Sequence, residues 1–227
     1  MAQPLFQATS VTVAYRRGGR PFAPFSGVNL SLEAGRMYDL VGPSGSGKST
    51  LLEACARTVP RSAGELFLAG ESERDIPPVQ WRRRVCLVPQ VATLVPGTVG
   101  DNLRWPWTLK VNAGAKPPSD AELVALLEKA ELGDVPLDRD AAQLSGGQRA
   151  RVAVLRAFAT SPQVLLLDEV DAALDDESAL AVGRLTRELV HGETACLRIR
   201  HRQADGLADG TFTLADGRLS YVEGSLR

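Results

Sequence analysis

The chain has little cysteine, no excess of charge of either sign and no long apolar run, and each shortage removes a class of protein. Cys55, Cys86 and Cys196 are the only cysteines among 227 residues. They are odd in number and far apart, so neither a disulfide framework nor a Cys-x-x-Cys metal site is indicated. Reduced thiols in a cytosolic compartment are the expectation. No apolar stretch approaches the roughly 20 residues that cross a bilayer as a helix. Met1 to Phe6 lacks the basic start and apolar run of a signal peptide. If the protein acts at a membrane, another chain must supply the span. Lys and Arg number 26 against 27 Asp and Glu, a formal net charge of −1. That balance argues against a nucleic-acid binder built on a broad basic surface, so no nucleic-acid partner is expected. Repeats and low-complexity segments are absent as well.

What is present is an alternation of short apolar runs and helical patterns. Strand patterns cover Thr9–Tyr15, Val28–Leu32, Met37–Val41, Glu65–Leu68, Val85–Val88, Val164–Leu167 and Ala195–Ile199, with a terminal pair from Gly210 to Val222 around Asp216 and Gly217. Arg17 to Arg20 and Glu33 to Gly35 read as turns. Helices are expected at Ser49–Ala56, Ile76–Arg84 (a turn and short helix), Asp120–Glu131 capped by Ser119, Arg149–Ala159 and Ser178–Val190. About 91 to 118 reads as irregular. Strands alternating with helices predict a doubly wound α/β core, interrupted by a mainly helical insert over about 91–160. The length suits one domain with a smaller lobe.

The sharpest motif is Gly42, Pro43, Ser44, Gly45, Ser46, Gly47, Lys48, Ser49 and Thr50, a G-x-x-x-x-G-K-[ST] phosphate cradle. Backbone N–H groups can wrap an anion only where side chains do not obstruct them. Gly42, Gly45 and Gly47 supply that freedom, and the helix starting near Lys48 points its positive end at the phosphates. Lys48 should contact the β- and γ-phosphates of a nucleotide, and Ser49 should ligate Mg²⁺. Downstream, Asp168 and Glu169 end a buried strand, at the sheet edge where ligands of open α/β sheets bind. Asp168 is the expected second Mg²⁺ partner. A D-E pair ending a strand is otherwise a solvated turn, and only the glycine loop upstream changes that reading. Leu144, Ser145, Gly146, Gly147 and Gln148 read by themselves as an N-capped helix start.

Together and in this order, these motifs resemble the nucleotide-binding subunit of an ATP-binding cassette (ABC) transporter. The resemblance covers nearly the whole chain. It implies a P-loop NTPase of α/β class, an ABC-type ATPase core with an N-terminal antiparallel β subdomain (core and β subdomain about 1–90 and 161–227) and an inserted helical subdomain (about 91–160), forming a single domain over 1–227. ATP and Mg²⁺ are the implied cofactors. Glu169 matches the general base. Ser145, Gly146, Gly147 and Gln148 would reach the γ-phosphate held by a second copy of the chain, giving a head-to-tail homodimer with two shared ATP sites. Tyr15 matches an aromatic that stacks on adenine, although as a residue it reads equally as a strand aromatic in the core. Gln90 matches a glutamine that touches Mg²⁺ and moves with the membrane subunit, and His201 a histidine contacting the γ-phosphate. The chain departs from the family at Val170, Ala172 and Arg200, where proline, serine and threonine are usual.

The run Thr98-Val-Gly-Asp-Asn-Leu103, followed by Pro106 and Trp107, is similar to bacterial iron-export ATP-binding subunits of the YbbL type. That likeness implies solute export, of iron or another metal, through a separate integral membrane permease docking near Gln90 and residues 94–107, on the cytoplasmic face of the cell membrane. Trp105 and Trp107 are candidate anchors for it, with packing inside the insert an equal alternative. An importer or lipid-related cassette is the alternative within transport. A soluble ABC ATPase acting on nucleic acid or ribosomes is the alternative outside it, and the coiled-coil inserts, zinc motifs and fused cassettes of such proteins are absent.

Overall fold

A computed structural model of the chain describes residues 3–91 and 93–224. Met1 and Ala2, at the head of the N-terminal run, lie outside the described residues. Two sheets are present. The first is antiparallel, in the order β2 (Arg20–Leu32), β1 (Phe6–Arg17), β4 (Ala63–Leu68), β5 (Glu71–Ser72). The β1–β2 hairpin is longer than the sequence pattern suggests, because Gly18 and Gly19 both take positive φ (58° and 80°) and close a two-residue turn. This starts β2 eight residues before the expected Val28 and sets Tyr15 opposite Phe22.

The second sheet runs β10 (Arg218–Glu223), β9 (Gly210–Ala215), β3 (Met37–Val41), β8 (Ala195–Ile199), β7 (Val164–Leu167), β6 (Val85–Val88). From β9 to β6 the strands are parallel, and β10 alone is antiparallel. Its central strands β3, β8 and β7 are mainly apolar, with Asp39 and Arg198 the charged exceptions, since both faces are covered. Alternate residues divide between the two faces. Val164, Leu166, Ala195 and Leu197 join the core formed with β1, β2, β4 and α1 (Lys48–Cys55). Leu165, Leu167 and Cys196 join the second core, beneath α3 (Val99–Arg104), α4 (Asp120–Lys129), α5 (Gly146–Phe158) and α6 (Asp176–Leu189).

Helix starts follow side-chain caps. Ser119, Ser145 and Asp175 accept from the backbone N–H three residues on, at 3.4, 3.2 and 2.8 Å. Hence α5 begins at Gly146 and α6 at Asp176, earlier than periodicity alone suggests. The stretch expected to be irregular contains α3 and two 3-10 turns, Trp105–Thr108 and Lys110–Asn112. A capping box between Thr98 and Asp101 starts α3. The buried Asn102 ties it down, donating to Val95 O and Thr98 O and accepting from Val95 N.

Trp81 on α2 (Pro78–Arg84) joins three elements of the first core. It is fully buried, donates from Nε1 to Cys55 O at 2.8 Å and lies 6.2 Å from the Phe6 ring. Trp81→Ala is expected to lower the unfolding free energy by about 3–5 kcal/mol, as measured by urea denaturation.

Candidate functional site

The parallel strands β3, β7 and β8 end at one edge of the sheet, and the residues leaving them build the site. After Val41, Gly42 takes φ 144°, and a Cβ there would sit 2.1 Å from Leu214 O of β9. Only glycine lets the loop leave between strand and neighbour. Gly47 is similarly confined: its φ is 100°, and a Cβ would meet Pro24 at 2.7 Å. It precedes Lys48, the first residue of α1, and no side chain caps that helix. The first-turn N–H groups are therefore left facing the loop, which is the arrangement that binds anions. Lys48 lies along the loop and donates from Nζ to Gly42 O (2.9 Å) and Pro43 O (3.0 Å). Ser46 Oγ is buried with no hydrogen-bond partner among the described residues, an unfilled polar position inside the cradle.

From β7, the Asp168 N–H donates to Val88 O, and its Oδ1 accepts from Ser49 Oγ at 3.0 Å. Burial pushes the Asp168 carboxyl above the ordinary carboxylate range; the Ser49 hydrogen bond opposes this and the Glu169 charge adds to it. Burial likewise draws Lys48 below its ordinary value, against the raising effect of Glu169 and Asp168. Glu169 takes φ 48°, a left-handed conformation that costs free energy for a residue with a Cβ. Both its oxygens are engaged: Gln90 Nε2 donates to Oε2 at 3.1 Å, and His201 Nε2 lies 2.7 Å from Oε1.

A cleft of about 230 Å³ brings together Tyr15, Ser44, Gly45, Gly47, Lys48, Ser49, Thr50, Glu169 and His201. Tyr15 is 46% exposed and so is not a core residue. Phe22 and Pro24 also line the cleft, and Phe22 packs edge-on to Tyr15 at 5.4 Å. Sequence reasoning missed both. The signal was the Gly18–Gly19 turn, which folds the chain back and places an aromatic beside Tyr15. Ser145, Gly146, Gly147 and Gln148 do not line the cleft. Ser145 and Gln148 cap α5 reciprocally, and a Cβ on Gly147 would meet Ser178 Oγ at 2.7 Å. Among the described residues no group of three or more His, Cys, Asp or Glu side chains is arranged to hold a metal ion.

A second concavity of about 340 Å³, predominantly apolar, lies between α2, the Trp105–Thr108 turn and α5. Val79, Leu87, Pro106, Leu109 and Ala153 line it, with Trp105 beside them under the Arg156 guanidinium (5.9 Å). Trp107 does not line it. Arg82, Arg83 and Arg156 are its charged residues, and no carboxylate is among its described lining residues.

A glycine loop running from a parallel strand into a helix, with two carboxylates leaving another parallel strand at the same sheet edge, defines a P-loop nucleotide-binding protein. The sequence pattern of the family described as ABC transporter matches residues 25–172. The "Probable iron export ATP-binding protein FetA" of Escherichia coli K12 is 35% identical over 189 residues, covering 82% of each chain. The sulfate/thiosulfate import ATP-binding protein CysA of Brucella melitensis is 36% identical over 209 residues, 88% of this chain and 57% of CysA. The fold matches an ATP-binding cassette solved as a dimer in a post-hydrolysis state with ADP and Pi, with a TM-score of 0.83, 24% identity and coverage of 98% of this chain and all of the other. The chain belongs to the ABC transporter family, as an ATP-binding ABC-type ATPase.

A carboxyl whose pKa is raised by folding contributes stability only below its ordinary value of about 4, and that contribution is lost as pH rises through the folded value. Asp168→Asn is therefore expected to melt above the wild type at pH 7 and to lose that advantage below about pH 4. Calorimetry at both pH values checks it; an equal or lower Tm at pH 7 would contradict the burial account.

Proposed function

We propose that the chain is the Mg²⁺-dependent ATP-hydrolysing subunit of an ABC exporter, working as a homodimer on the cytoplasmic face of a membrane. The cleft residues take the following roles. Tyr15 receives the adenine, and the amides from Gly42 to Thr50, with Lys48, hold the phosphates. The orphan Ser46 hydroxyl and the first turn of α1, which no side chain caps, support a phosphate occupant. A magnesium ion fits the donor set of Ser49 Oγ and Asp168 Oδ1, 3.0 Å apart, with Gln90 nearby. Magnesium takes one or two protein carboxylates and completes its shell with water and phosphate, and when bound it would neutralise charge on the β- and γ-phosphates.

Glu169 is the general base that takes a proton from the attacking water, and His201 orients it and contacts the γ-phosphate. The observation that carries this reading is the Glu169 carboxylate, held by Gln90 on one oxygen and His201 on the other beside the Lys48 loop. Ser145, Gly146, Gly147 and Gln148 serve the partner's nucleotide, which agrees with their absence from the chain's own cleft. The chain is read as one ABC ATPase domain, with 91–160 as its helical subdomain. Glu169→Gln is expected to reduce kcat for ATP at least about 10²-fold while ATP-bound dimers accumulate, measured by phosphate release and size-exclusion chromatography. Unchanged turnover would sink the assignment of the base.

Among the described residues no helix is long and apolar enough to cross a membrane. In this reading a separate permease subunit provides the membrane path. The groove at Trp105 is its docking site, and the three unopposed arginines favour a segment carrying carboxylates. Trp105, not Trp107, is the anchor facing it. Export of iron or another metal is the cargo reading that the FetA likeness supports. An importer is the second reading, because CysA is similar at comparable identity. Trp105→Ala is expected to leave ATP affinity within about twofold and to lower co-purification with the permease at least about tenfold, a hot-spot loss. Lost ATP affinity in that variant would make the tryptophan structural.

A further inference from the structure

Arginines alternate through the segment that carries His201: Arg198, Arg200 and Arg202. Arg198 and Arg200 are almost wholly buried. Arg198 donates from Nε to Asp39 Oδ1 (2.6 Å) and from Nη2 to Asp205 Oδ1 (2.7 Å). Arg200 donates from Nη1 to Asp205 Oδ2 and from Nη2 to Gln203 O. Arg202 reaches across to Leu174 O and Asp176. The packing is tight: a Cβ on Gly183 of α6 would lie 3.0 Å from Asp205 Oδ2 and 3.2 Å from Arg198 Nη1.

One donor in this cluster is unused. Arg200 Nε is buried without a hydrogen-bond partner among the described residues, and the carboxylate facing it is Asp171, with Oδ2 at 3.9 Å. Asp171 is itself 6% exposed. A buried N–H without an acceptor is unfavourable, and a shift of about 1 Å would bring the pair to ordinary hydrogen-bond length. The connections form a ring. Asp171 lies two residues after Glu169, Arg200 is bonded directly to His201, and His201 contacts Glu169 at 2.7 Å.

We propose that Arg200 is a positioning residue: its Nε–H latches Asp171 when the segment 170–175 moves against the bound nucleotide and second subunit, and this sets His201 against Glu169. The inference rests on the hydrolytic reading of Glu169 and His201. Asp205 is the fixed end of the device, already held by Arg198, and Asp171 is the mobile end. Arg200, which departs from the family pattern, thereby joins the strand end carrying the histidine to the loop leaving the base.

The test compares Arg200→Lys, Asp171→Ala, the double variant and Asp39→Asn in the full chain, by steady-state ATP turnover and thermal melting. Arg200→Lys keeps a charge for Asp205 but loses the Nε–H donor, and Asp171→Ala removes the acceptor. Each is expected to lower kcat about tenfold with KM for ATP within twofold, and the double variant to be no slower than either single one. Asp39→Asn disturbs the same buried cluster at its far end, on Arg198 and away from Asp171, and kcat should stay within twofold. The latch is overturned if both single variants keep kcat within twofold. It is overturned equally if their losses multiply, or if Asp39→Asn loses kcat to the same extent. If Asp171→Ala does not fold, kcat of Arg200→Lys against Asp39→Asn decides between the same outcomes. Failure of the underlying reading looks different, because Glu169→Gln would then turn over ATP at the wild-type rate.

Discussion

The parallel register of β3, β8 and β7 is the constraint on which the site depends. Leu40 pairs with Ile199 and Leu167 with Arg198, so three strands that are distant in sequence finish at one edge. The residues that follow them, the glycine loop, His201 and the Asp168–Glu169 pair, emerge side by side without any long side chain having to reach. These three strands are buried on both faces and mainly apolar. A one-residue slip would move Leu165 and Leu166 to opposite cores. Packing on both sides therefore enforces the alignment that the chemistry uses.

That edge is electrostatically unfavourable for the protein by itself. Asp168 is pushed up and Lys48 pulled down, in each case first by burial. Glu169 adopts a left-handed backbone, and Ser46 has a buried hydroxyl with no partner among the described residues. A polyphosphate and a divalent cation would supply what these groups lack, acceptors for the loop and charge for the carboxylates. Stability is given up where the ligand can restore it. The rest of the chain supports this with two complete cores and well-capped helices.

The chain carries two arginine clusters of different character. The arginine-rich segment around His201 is paired internally with Asp39, Asp205 and Asp176. The groove at Trp105 is different: Arg82 and Arg156 donate only to backbone carbonyls and the Asn102 amide, and no carboxylate among the described residues pairs with Arg82, Arg83 or Arg156. The first set is paired within the fold except at Arg200 Nε, and the second has no carboxylate partner among the described residues. Arg82 and Arg83, in the last turn of α2, line this concavity.

Much of this was legible in the sequence, where chemistry is local. The glycine loop, the apolar strand ending in Asp168 and Glu169, the Ser145 cap and the Asp216–Gly217 turn each depend on residues within a few positions, so propensity and spacing determined them. The length of the β1–β2 hairpin and the helix α3 were not read, because two glycines and a Thr98–Asp101 capping box outweighed a weak apolar pattern. Only the tertiary structure decided that Trp105 lines the groove while Trp107 does not. It alone set Arg200 within 3.9 Å of Asp171. Those contacts join segments far apart in the chain, and their geometry follows from sheet register and helix packing, which no local run of residues encodes.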